Sequence, residues 1–121
     1  MSIPELKVET EIVRKIDITD LENWLSEVYN IPRTYISLQA DNEWGNDGIY
    51  NVYAEDHTRR EGGLKEGIDL WGTKQDTYDT IQKLLRGEHV DVRDIPYCSS
   101  LIDYAASVGW LEPGEYLVEV W

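Results

Sequence analysis

The sequence contains no phenylalanine, one cysteine, two histidines and only 11 lysines and arginines in 121 residues. Without Phe, aromatic packing falls to five Trp and eight Tyr. Both rings carry a polar tip that needs a partner or water, which places many of them at the margin of a core. The single cysteine, Cys98, has no second thiol to pair with. That excludes a disulfide scaffold and favours a reducing, cytoplasmic setting. No apolar run approaches the roughly 18 residues that span a bilayer. Residues 1–11 lack the basic start and apolar middle of a signal peptide. Zinc needs clusters of Cys and His, which are absent. Gly62, Gly63 and Gly67 have no strand before them and no P-loop lysine after them, so they make no phosphate loop. No cofactor and no metal are expected.

Cations are scarce and anions are not. The 24 Asp and Glu leave a formal net charge of −13. Such a chain repels nucleic acid and anionic membrane, since both are bound through Lys and Arg. Two readings of the acidity stand side by side. It keeps the protein soluble, or it faces a basic partner such as the nucleic-acid groove of another protein. Between Thr34 and His57 come Asp41, Glu43, Asp47, Glu55 and Asp56 with no Lys or Arg among them. Between Glu88 and Trp121 come Asp91, Asp94, Asp103, Glu112, Glu115 and Glu119 against Arg93 alone.

The length suits one α+β domain over residues 1–121. No repeat, linker or low-complexity tract divides it. Leu6, Val8 and Ile12 alternate with Lys7, Glu9 and Glu11, which predicts a half-buried strand in the 6–18 region. Thr19 followed by Glu22 forms a capping box. Leu21, Trp24, Leu25 and Val28 then recur at helical spacing, predicting a helix over 20–29 that Asn30 caps and Pro32 stops. Thr34–Ala40 and Ile49–Ala54 alternate and predict a hairpin, with the turn-rich Asp41–Gly48 between them. Residues 55–67 read as a polar loop. A helix is predicted over 73–86, ended by Gly87. Another is predicted over 96–108, opened by Pro96 and ended by Gly109. A last strand over 115–121 sets Tyr116, Val118 and Val120 opposite Leu117, Glu119 and Trp121. The expected order is β-α-β-β-α-α-β, an antiparallel sheet of about four strands with three helices mainly on one face. The first and last strands are expected to be neighbours.

Chemistry has little to work with. His57 lies in the polar loop beside Asp56, and His89 follows a helix; neither has a local partner that would make a base and a nucleophile. Cys98 falls in the first turn of the last helix, where a thiol is activated or is simply a small buried apolar group; the second reading is preferred. The acids of 41–48 do not follow calcium-loop spacing. Carboxylates are so abundant that a catalytic pair carries no signal. The chain is not expected to be an enzyme.

The partner-binding candidates are Asp41, Glu43, Trp44, Asp47, Glu55 and Asp56. A Trp ringed by carboxylates suits an interface, where Trp is over-represented among hot spots; alternatively Trp44 folds back as a lid on the sheet. The opening segment VRKIDITDLENWLSEVYN and the closing GWLEPGEYLVEVW resemble small acidic accessory proteins of bacteriophages and mobile elements, a group that includes anti-CRISPR and other anti-defence inhibitors. That resemblance implies a non-enzymatic inhibitor acting in the cytoplasm of a bacterial host. Its partner would be the basic surface of a CRISPR effector or restriction nuclease, bound as a DNA mimic binds. The alternatives are a small-ligand or nucleotide-binding protein using Arg59 and Arg60, and a phage structural or assembly component.

Overall fold

The computed structural model describes residues 3–10, 14–43, 46–52 and 74–120. Its elements are β1 (Glu9–Thr10), β2 (Arg14–Asp17), α1 (Ile18–Tyr29), α2 (Arg33–Glu43), β3 (Gly48–Val52), α3 (Lys74–Leu85), a 3-10 turn (Val92–Asp94), α4 (Cys98–Ser107) and β4 (Gly114–Glu119). The class is α+β, as expected.

The sheet runs β1-β2-β4-β3, with β1 only a two-residue bridge. The first and last long strands are indeed neighbours, but β2 and β4 run parallel, while β1–β2 and β3–β4 are antiparallel. The sheet is therefore mixed, which corrects the all-antiparallel expectation. A parallel pair needs a long crossover, and here α1, α2, β3, α3 and α4 all lie between its two strands.

Strand β2 passes into α1 without a loop. Asp17 keeps extended backbone, with φ −71° and ψ 134°, and its Oδ1 accepts from the Thr19 N–H at 2.7 Å and the Asp20 N–H at 3.3 Å. The cap is thus Asp17 and not the expected Thr19, because Ile18 is already buried as the first helical residue. At the far end Asn30 takes the left-handed conformation, with φ 56°, and the Ile31 N–H closes onto the Ser26 carbonyl at 3.1 Å. Pro32 does not merely stop α1. Its carbonyl accepts from the Tyr35 N–H at 3.0 Å and so opens the next helix.

That next helix is the largest departure from expectation, since the alternation of 34–40 predicts a hairpin strand. The apolar positions of this stretch fit two periods. Ile36 and Ala40 lie four apart and are both buried, whereas Leu38, inward on a strand pattern, is 58% exposed. Arg33 then clamps α2 to α1: its Nε donates to Asn23 Oδ1 at 2.7 Å and its Nη2 to Glu22 Oε1 at 2.9 Å. Asp41 and Glu43 consequently belong to the last turn of a helix, and the expected hairpin tip is a helix-to-strand connection.

Helices α3 and α4 fall within the predicted spans, but α4 starts at Cys98 behind an N-cap at Tyr97, which leaves the expected opener Pro96 outside the helix. Gly87 (φ +77°) and Gly109 (φ +86°) adopt the left-handed conformation just beyond them. Val108, the residue that caps the end of α4, is 44% exposed. The core joins Leu21, Trp24 and Leu25 of α1 to Ile36, Ile81, Leu101 and the inward sheet residues Ile16, Tyr116, Val118 and Val52. Two aromatics are more deeply buried than a margin position implies. Tyr29 is fully buried and donates its hydroxyl to the Leu101 carbonyl at 2.6 Å. Trp24 donates Nε1–H to the Pro4 carbonyl at 2.7 Å, strapping the leading segment to α1. Among the described residues no helix is long and apolar enough to cross a membrane.

Candidate functional site

Strand alternation sorts the sheet into two faces. Ile16, Tyr50, Val52, Tyr116 and Val118 turn toward the helices, and the Tyr50 hydroxyl donates to the Ser99 carbonyl in α4 at 3.3 Å. The alternate residues turn the other way. Register sets Lys15, Leu117 and Ile49 in one row across β2, β4 and β3, with Asp17 beside Glu119 on one side and Glu115 beside Asn51 on the other. The middle row is aliphatic at Leu117 and at Ile49, which is 58% exposed, with Lys15 at its β2 side. Carboxylates border it at both ends.

Glu115 and Glu119 are four residues apart on β4, which spaces their Cα atoms by about 13 Å. Neither enters an ion pair among the described residues. Asp17 and Glu119, side by side on neighbouring strands, repel each other at neutral pH. The strand end holds a third carboxylate. Asp47, exposed just before β3, accepts from the Val120 N–H at 2.6 Å. Asp17, Asp47 and Glu119 thus meet at the end of β2 and β4, two of them holding backbone N–H groups.

Of the six residues named from the sequence, Asp47 lies at this sheet end and Asp41 is exposed in the last turn of α2. Glu43 ends that helix. Trp44, Glu55 and Asp56 lie outside the described residues, as do Arg59, Arg60 and His57. Sequence reasoning gathered the acids of 41–56 and left Asp17, Glu115 and Glu119 out of the site. The alternation of Glu115, Leu117 and Glu119 against Tyr116 and Val118 was the available signal. The contribution of Asp17 needs the β2–β4 register.

Each described arginine has a carboxylate neighbour, close for Arg33 and Arg93 and looser for Arg14. Arg33 pairs with Glu22 at 2.9 Å, Arg93 with Asp91 at 3.2 Å, Arg14 with Glu112 at 3.8 Å, and Arg86 with Glu88. The Arg93 side chain, then its backbone N–H, holds the Asp91 carboxyl below its ordinary range. With 24 acids against 11 bases, the chain keeps a large anionic excess beyond these pairs.

Cys98 is fully buried and packs its sulfur 3.7 Å from the Ile36 carbonyl oxygen, so it is a core group. His89 is exposed. Among the described residues no group of three or more His, Cys, Asp and Glu side chains converges as a metal site would require. Comparison with family models, curated proteins and solved structures finds no match. Fold and surface together define an α+β chain with a carboxylate-bordered sheet face.

Proposed function

We propose that the protein is a non-enzymatic inhibitor that docks its acidic surface onto the basic, phosphate-binding groove of a nucleic-acid-handling defence protein, such as a CRISPR effector or a restriction nuclease. The observation that carries this reading is the outer sheet face, where Glu115 and Glu119 flank the aliphatic pair Ile49 and Leu117 on a rigid strand. Carboxylates fixed on a strand meet a groove of lysines and arginines without first being ordered. They speed encounter, and they weaken as salt screens them. The aliphatic centre supplies the area that, once dried, sustains the complex. The excess of 24 acids over 11 bases supports the same polarity of partner.

The test is direct binding to a panel of purified CRISPR effectors and restriction nucleases. Affinity for the cognate partner is expected to fall at least about tenfold between 50 and 300 mM salt. A Glu115→Lys/Glu119→Lys double variant is expected to lose a similar factor, and Glu27→Lys, on the exposed side of α1, is not. A cognate complex that tolerates the double charge reversal rules out this face, and a panel with no binder rules out the partner class.

A further inference from the structure

At the opposite end of the sheet a cleft of about 610 Å³ gathers two cations on an otherwise anionic molecule. Lys7 and Arg14 line it together with Leu6, Val8, Trp110 and Tyr116. Arg14 is held in place rather than extended into water. Its Cζ lies 4.4 Å from the centre of the Tyr116 ring, and Nη1 donates to the Tyr116 hydroxyl at 3.3 Å. The guanidinium lies against Gly114, where any Cβ would fall 1.8 Å from Nη2 and where φ is +142°. A side chain at 114 would displace it.

The donors of this arginine are poorly used. Both Nη atoms reach the Pro113 carbonyl only at 3.5 Å, a distance at which such bonds are weak. Its ionic partner Glu112 stands 3.8 Å away with a side chain 83% exposed, against 29% for Arg14. That carboxylate is a solvated counter-ion and is easily exchanged. Lys7 is exposed and has no ionic partner among the described residues.

We infer that this cleft is a binding site for a carboxylate attached to an aromatic or aliphatic body. The guanidinium takes the carboxylate through its fork of N–H donors, Lys7 adds a second charge, and Leu6, Val8 and Trp110 receive the apolar part. One negative charge is the limit. Glu5 and Glu112 also line the cleft, and the net charge of −13 opposes each further ligand charge. The site is independent of the outer sheet face, so either can fail without the other.

The experiment is an NMR titration of the full chain with N-acetylphenylalanine, its amide and phenyl phosphate, following the Trp110 indole and Gly114 amide signals. The acid is expected to shift both. The amide should bind at least about tenfold more weakly, as should the phosphate dianion, and Lys7→Gln, a surface change that leaves the fold intact, should weaken the acid several-fold. Arg14→Gln should abolish the response. Comparison with a short peptide ending in Phe separates the two sources: tighter binding marks a protein C-terminus as the ligand, weaker binding a free small acid. Equal affinity of acid and amide overturns the inference. So do tighter binding of the phosphate, shifts confined to other residues, and a Lys7→Gln chain that binds as well as the parent.

Discussion

Tyr29 carries a hydroxyl that is sealed from water and bonded to a main-chain carbonyl of α4. Burial, and after it the nearby Tyr104 and Asp103, pushes its pKa well above the ordinary value of 10.0. Burial moves Tyr116 in the same direction, with Arg14 opposing. The fold favours the neutral phenol. This contribution to stability is therefore complete below the unfolded value, near pH 10, and is lost as pH rises through the higher folded value. Replacing Tyr29 by Phe is expected to remove roughly 1–2 kcal/mol at pH 7 and to flatten the decline above pH 10. Denaturant titrations at pH 7, 9 and 10.5 measure both. Parallel wild-type and variant curves above pH 10 would show that Tyr29 is not the titrating group. Asp91 works at the other end of the scale. Its carboxyl, depressed by Arg93, adds stability above the ordinary 3.8 that is lost as pH falls through the folded value, a small effect for so exposed a pair.

At the scale of elements, α1 depends on a cap supplied by the strand before it. Asp17→Ala removes the acceptor of two N–H groups and is expected to cost about 1 kcal/mol, with Asp17→Asn restoring most of it. Urea midpoints of the two variants decide the matter, and equal loss in both would deny the capping role. The sequence made α1, α3, α4 and β4 readable because their apolar spacing admits one period and Asn30, Gly87 and Gly109 mark their ends. It did not make α2 readable. Tyr35-Ile36-Ser37-Leu38-Gln39-Ala40 alternates well enough for a strand, and only the burial of Ile36 and Ala40 beneath the helical layer, with Arg33 tied to Glu22, selects the helix. The outer sheet face was half readable. Residues 115, 117 and 119 share a side by alternation alone, while Asp17 and Asp47 join them through strand order, which is decided by packing between distant parts of the chain.

For the whole molecule, charge is the dominant variable. A net charge of −13 acts against compactness through self-repulsion, and the four described ion pairs recover little of it because all are at least partly solvent-exposed. The melting temperature is expected to rise as salt increases from 10 to 200 mM, which shortens the screening length from ~30 Å to under 10 Å. A gain of about 1 kcal/mol corresponds to roughly 4 °C for a chain of this size. A midpoint that is flat or falls over this range would mean that attractive pairs, rather than the acidic excess, govern stability.

The parallel pairing of β2 with β4 also dictates an order of events in time. Lys15 meets Leu117 across roughly a hundred positions of chain. On a ribosome, β2 and the helices after it leave the tunnel long before the strand that completes the sheet, so local helical contacts form first and the sheet closes last. Until then β2 has an open edge, where charges such as Lys15 and Asp17 disfavour pairing with another chain.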